Sequence, residues 1–153
     1  MSIPAWFARS VGRVREGTKA HLVKTAELVN CSNDVLHAMR GATDEECEAL
    51  LVDHISQTCG GTADWKEHPH GVAETLAAFL SAEEADLIRH LALDERTKPA
   101  QAVQRFDALL THSPKGVRAL ESFGDFYIVL VVPRPLLPRF DEVNKHWIAL
   151  AEA

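Results

Sequence analysis

The chain has 153 residues, a quarter of them charged, and a formal net charge of −6. That length suits one domain with a sizeable core, so folding requires no disulfide or metal staple; the three cysteines, odd in number and without a Cys-x-x-Cys spacing, point to a reduced, cytoplasmic protein. The opening MSIPAWFARSVGRV breaks its apolar residues with Arg9 and Arg13, unlike an export signal, and the longest strongly apolar run, FYIVLVV from Phe126 to Val132, is far short of the roughly 20 residues that cross a bilayer.

Helical spacing dominates. Ile3, Trp6, Phe7, Val11 and Val14 recur at steps of three and four behind a Ser2 cap, predicting a first helix with one apolar face. After Gly17 a second helix sets Leu22, Ala26 and Val29 on one side and reaches Asn30. Ser32 or Asn33 then caps a short helix through Val35, Leu36 and Met39, closed by Gly41. Thr43 and Glu46 have capping-box spacing, in which hydroxyl and carboxylate each satisfy a free backbone amide. The helix they open carries Cys47, Leu50, Leu51 and Ile55 and is expected to stop at Gly60-Gly61. A helix with Val72, Leu76, Phe79 and Leu80 follows, and Ser81 with Glu84 repeats the box before Leu87, Ile88 and Leu91. Thr97 and Pro99 open a helix through Val103, Phe106, Leu109 and Leu110. Ser113-Pro114 is expected to start a shorter one through Val117 and Leu120, and a last helix from about Arg139 aligns Phe140, Val143, Trp147 and Leu150.

The exception is Phe126 to Val132, rich in β-branched and aromatic residues and bounded by Gly124 and Pro133. It reads as a fully buried strand, yet no other segment offers an obvious partner, and a lone strand leaves its backbone groups unpaired. Three solutions stay open: a buried helix capped by Asp125, a pairing with a weak strand elsewhere in the chain, or a pairing with a second copy in a homodimer. Pro133 to Pro138 is expected to be a stiff, extended connector. The fold class expected is mainly α: one compact domain over residues 1–153, of about six to eight helices, with at most one short strand near 126–132.

The stretch DHISQTCGGTADWKEHPHG gathers His54, Cys59, His68 and His70 as candidate metal ligands. Zinc sites announce themselves through closely spaced ligand pairs, and here only His68 and His70 flank a proline. The expected reading is a helix end and a polar connector, with no metal and no cofactor. Cys47 sits among Asp44, Glu45, Glu46 and Glu48, which favour a neutral thiol over a nucleophile, and Gly60-Gly61 lacks the Lys-Ser/Thr of a phosphate loop. No enzyme is expected.

Thr25 to Gly41, TAELVNCSNDVLHAMRG, resembles a helix-turn-helix of the repressor kind: Ala26 is small where two helices cross, Asn30 stands at the turn, Cys31 takes the buried place, Ser32 caps, and Leu36 points inward. The resemblance implies a DNA reader with Asn33, His37 and Arg40 facing bases and Lys24 near phosphates. The charge pattern favours a different partner. Residues 1–41 carry a net +3, whereas residues 42–100 hold thirteen acidic side chains against four basic ones, a net −9. The leading expectation is therefore a small, non-enzymatic regulator or inhibitor, of the kind represented by a mobile-element inhibitor or an immunity-type protein. An acidic helical face, built from Asp44, Glu45, Glu48, Glu74, Glu83, Glu84 and Asp86, would engage a basic, nucleic-acid-binding surface of another protein.

Overall fold

The structure is a computed structural model and describes residues 18–149. The helix expected over Ile3 to Val14 lies outside the described residues. In chain order the elements are α1 (Thr18–Leu28), α2 (Asn33–Gly41), α3 (Asp44–Thr58), β1 (Gly60–Asp64), α4 (Pro69–Ala77), α5 (Ala82–Arg89), α6 (Pro99–Leu109), β2 (Lys115–Glu121), β3 (Phe126–Pro133), a 3-10 turn (Arg134–Leu136) and α7 (Leu137–Val143). Among the described residues, seven α-helices thus surround a small antiparallel sheet of order β1-β3-β2. The fold is mainly helical, but three strands replace the single strand expected.

Local signals place the helix starts. Ser32 Oγ accepts from Val35 N, and Thr43 Oγ1 from Glu46 N, each at 3.2 Å. Ser81 and Glu84 form the full reciprocal box. Pro69 and Pro99 occupy the first turns of α4 and α6, where a missing N–H costs nothing. Asn30, at φ 62°, makes the left-handed turn between α1 and α2.

Alternation along the strands assigns the helices to two layers. Val129 and Val131 of β3, with Val117 and Ala119 of β2 and Ala63 of β1, pack against Val72 and Leu76 of α4, Ile88 of α5 and Phe106 of α6. Ile128, Leu130 and Val132 face the other way, onto Leu22 and Ala26 of α1, Met39 of α2, Leu51 and Ile55 of α3 and Phe140 of α7. Covered on both faces, the central strand needs apolar residues at every position, which explains its unbroken run. It is neither a buried helix nor a strand open to a second copy, because β1 pairs one edge and β2 the other.

Three further expectations need correction. The helix expected to start at Ser113-Pro114 and run through Leu120 is instead a bend followed by β2: the step from Val117 to Leu120 mimics helical spacing, but the strand bonds along its length to β3. Pro133 to Pro138 is not an extended connector, since it coils into the 3-10 turn and the start of α7. The last helix ends at Val143. The chain then turns back to β2, where Glu121 N donates to Trp147 O and Ala149 N to Ala119 O, both at 2.8 Å.

Polar contacts tie the layers together. Arg118 of β2 forks onto Asp141 of α7 at 2.8 and 3.0 Å and reaches Asp107 of α6 at 3.0 Å. Fully buried Thr25 and Asn144 join α1 to the end of α7, Thr25 Oγ1 lying 3.1 Å from Asn144 Oδ1.

Gly60 runs so close to β3 that a Cβ there would stand 2.0 Å from Val129 O and 2.7 Å from Leu130 Cα, both immovable backbone atoms. Gly60→Ala is therefore expected to cost more than about 2 kcal/mol in urea unfolding, by prising β1 from its partner. Gly41→Ala, with nothing within 4 Å, is expected to be neutral or to stabilise by up to about 1 kcal/mol.

Glu84 gives a second test. Its carboxylate accepts from Ser81 N at 2.9 Å and from the Ser113 hydroxyl. Burial raises its pKa, but the hydrogen bonds from Ser113 and Ser81, with Lys115 nearby, outweigh burial and hold it below the ordinary 4.5. A lowered native value means that the stabilisation is complete above 4.5 and is lost as pH falls through the native pKa. Glu84→Ala is expected to lower stability at neutral pH by about 1–3 kcal/mol, a deficit that shrinks on acidification as the wild type loses the same contacts.

Candidate partner-binding groove

The sheet divides the seven carboxylates proposed for one acidic face. Asp44, Glu45 and Glu48 belong to α3 in one helical layer, whereas Glu74 lies on α4 and Glu83, Glu84 and Asp86 on α5 in the opposite layer. Two of the seven are internal. Glu48 is 5% exposed and accepts from Phe123 N at 3.2 Å through both oxygens; Glu84 is 6% exposed and caps α5. Glu74 is held by Arg89 at 2.8 and 3.2 Å, which lowers its pKa chiefly through that hydrogen bond. Glu83 and Asp86 remain exposed on α5, and Glu45 on α3.

What the fold builds around the α3 group is a groove of about 630 Å³, walled by Glu45, Glu48, Ala49, Val52, Asp53 and Ser56 along α3 and by Phe123, Gly124 and Phe126 at the turn between β2 and β3. Three of these residues are carboxylates and none is cationic. Val52, Phe123 and Phe126 are half-buried while Glu45 and Asp53 are exposed, so the groove has an apolar floor beneath a rim of two carboxylates, with the buried Glu48 below it. The turn that presents the phenylalanines is fixed from within: the Ser122 hydroxyl donates to Phe126 O at 2.6 Å and accepts from Gly124 N at 3.1 Å. Phe123 also leans edge-on against Trp147, at 5.9 Å between centroids, and Trp147 stacks on His21 at 4.5 Å. Asp53, Val52 and the two phenylalanines escape a sequence reading, because nothing local marks a turn as the neighbour of a helix about seventy residues earlier.

A second cleft, of about 690 Å³, lies where Asp64 to Gly71 meets α5 and the loop before α6. Its floor is Ala73, Ile88, Leu91, Leu93 and Phe106, and its rim mixes Lys66, His68, His70 and Arg89 with Asp64, Glu67 and Glu95, leaving no dominant sign of charge. The stretch that begins at Asp53 is thus more than a connector, since it contains β1 as well as one wall of this cleft. Its candidate metal ligands do not converge. His54 Nε2 sits 2.7 Å from Val29 O beside α1, whereas His68 Nδ1 sits 3.3 Å from Glu95 O in the cleft. Cys59 caps the end of α3, and His70 is exposed on α4. Among the described residues no group of three or more His, Cys, Asp or Glu is placed to hold a metal ion.

Burial pushes the Cys31 and Cys47 thiols up to about 11 and raises Cys59 as well, so all three are protonated at neutral pH. In the helix-turn-helix-like segment Ala26, Cys31 and Leu36 are buried as the resemblance implies, and Lys24, Asn33, His37 and Arg40 are exposed. Arg40 is bound to Glu27 at 3.2 Å. No described helix is long and apolar enough to cross a membrane. Comparison with protein-family models, curated proteins and solved structures finds no match to this chain.

Proposed function

We propose that the protein is a non-enzymatic regulator or inhibitor that binds another protein, and that the groove between α3 and the β2–β3 turn receives a basic amphipathic segment of that partner. The observation that carries this reading is the lining itself: two exposed carboxylates, Glu45 and Asp53, and no cation around Val52, Phe123 and Phe126. Apolar side chains of a partner helix would fill the floor while its lysines or arginines meet the rim, the pattern by which a helix lies in a groove and electrostatics selects it. The earlier set narrows accordingly to Glu45, joined by Asp53, while Glu48 stays beneath them on the Phe123 amide. A mobile-element inhibitor or an immunity-type protein, which must cover a basic working surface of its target, fits this chemistry.

The test uses the full chain and a fluorescein-labelled leucine–lysine peptide designed as an amphipathic helix. Binding is expected to weaken steeply with salt and to fall roughly tenfold or more in Glu45→Lys/Asp53→Lys, because both rim charges change from attraction to repulsion. The pair Glu83→Lys/Asp86→Lys, in the opposite layer, is expected to change little. Equal affinity across all three proteins would remove the groove from the reading.

A second reading, DNA binding through α2, is supported by the left-handed Asn30 turn, the Ser32 cap and the exposure of Asn33, His37 and Lys24. It predicts a salt-sensitive duplex complex in a gel-shift assay, lost in Lys24→Ala and Arg40→Ala. A titration that detects no duplex binding at low salt would dismiss it.

A further inference from the structure

Two loops of the molecule are built on one plan. Asp64-Trp65-Lys66-Glu67-His68-Pro69 leads into α4 and Asp94-Glu95-Arg96-Thr97-Lys98-Pro99 into α6, with aspartate, base and proline at matching positions. In each, the aspartate Oδ1 accepts from the amide two residues on, Lys66 N or Arg96 N, at 2.8 Å. The aspartate carbonyl accepts from the next amide, Glu67 N at 2.8 Å or Thr97 N at 2.9 Å. The loops also meet. His68 Nδ1 lies 3.3 Å from Glu95 O, and the Lys98 ammonium stands over the Trp65 ring, 5.0 Å from its centroid, with the Lys66 ammonium at 4.9 Å.

Cations concentrate at this junction. Of the four basic side chains between residues 42 and 100, Lys66, Arg96 and Lys98 lie on the two loops and are exposed, whereas Arg89 is held by Glu74. Trp65, 45% exposed, is the only exposed aromatic side chain among the described residues. Its backbone is anchored, because Trp65 N donates to Asp125 O at 3.3 Å, just before β3. Of the four acidic side chains on the loops, Asp64 and Asp94 turn back onto their own amides and Glu67 lies against Gly71 in the first turn of α4, which leaves Glu95 to oppose an anion.

We propose that Trp65, with Lys66, Arg96 and Lys98, is a binding site for single-stranded nucleic acid: a base stacks on the indole and the adjacent phosphates meet the cations. The base takes the place of an ammonium on the ring. That exchange is favourable, since an exposed cation–π contact is worth about 2–5-fold in affinity and base stacking on an aromatic side chain about 5–150-fold, while the displaced ammonium gains a phosphate. A duplex keeps its base faces stacked inward and offers none to Trp65, which separates this site from the reading of α2 as a duplex reader. The site shares no residue with the groove beside α3 and does not depend on it.

Fluorescence anisotropy of a labelled oligothymidylate of about twelve nucleotides, titrated with the full chain at low salt, tests this. Trp65→Ala is expected to weaken binding roughly tenfold or more, and Trp65→Phe to retain most of the affinity because a phenyl ring still offers a face. Lys66→Ala/Lys98→Ala is expected to weaken binding and to flatten the slope of log affinity against log salt by about 1.4, two phosphate contacts at about 0.7 each. Glu95→Gln is expected to tighten binding, and Lys24→Ala/Arg40→Ala to leave it unchanged. All the substituted side chains are exposed, and an unchanged urea midpoint shows that each variant is folded. Absence of binding at low salt would overturn the proposal, as would equal affinity in the wild type and Trp65→Ala, or a loss in Lys24→Ala/Arg40→Ala, which would assign the strand to α2. Binding to phosphatidylserine vesicles that is lost in Trp65→Ala, with no binding of the oligonucleotide, would also overturn it and assign the patch to a lipid surface.

Discussion

Phe126 to Pro133 lies in the middle of the molecule with a strand on each edge and a helical layer on each face, so its peptide groups are satisfied by β1 and β2 rather than by water. Nearly every other feature is arranged around that requirement. Gly60 is a glycine because β1 must approach Val129 more closely than a side chain allows. The outer side of β2 is covered in turn by the return of Trp147 to Ala149. The β2–β3 turn then emerges beside α3, carrying Phe123 and Phe126 to a helix remote in sequence. The groove is a consequence of how the sheet is closed.

The electrostatics follow from the same layering. A net charge of −6 implies a surplus of carboxylates but not where they act. Asp107 and Asp141 are engaged by Arg118, Glu74 by Arg89, and Glu27 by Arg40. Glu84 and Glu48 have become internal acceptors, one for a helix start and one for the Phe123 amide. The surplus available to a partner is accordingly smaller and more local than the sequence sum. Near α3 it coincides with half-buried apolar side chains, and that coincidence distinguishes the groove from an ordinary solvated face. The cleft beside α4 is slightly larger, yet its charges of both signs define no single ligand class.

Helix starts were the most legible part of the chain. Ser32, Thr43 and Ser81 cap where their spacing predicts, and Asn30 turns where a left-handed residue was required. The strands were legible only in part. β3 was visible from its β-branched run, but GGTAD has the composition of a loop, and KGVRALE offers Val117 and Leu120 at a helical step. Both become strands because β3 supplies the hydrogen-bonding edge and the two helical layers supply the burial.

The sequence by itself determined where α2, α3 and α5 begin, which residues are apolar enough for the core, and that the middle of the chain is acidic. These properties rest on interactions within about four residues, or on composition alone. Only the tertiary structure decided which segments pair with β3, on which side of the sheet each carboxylate lies, and which of them still face solvent. Those outcomes depend on contacts such as Glu48 with Phe123, 75 residues apart, whose partners are chosen by packing and not by anything adjacent in the chain.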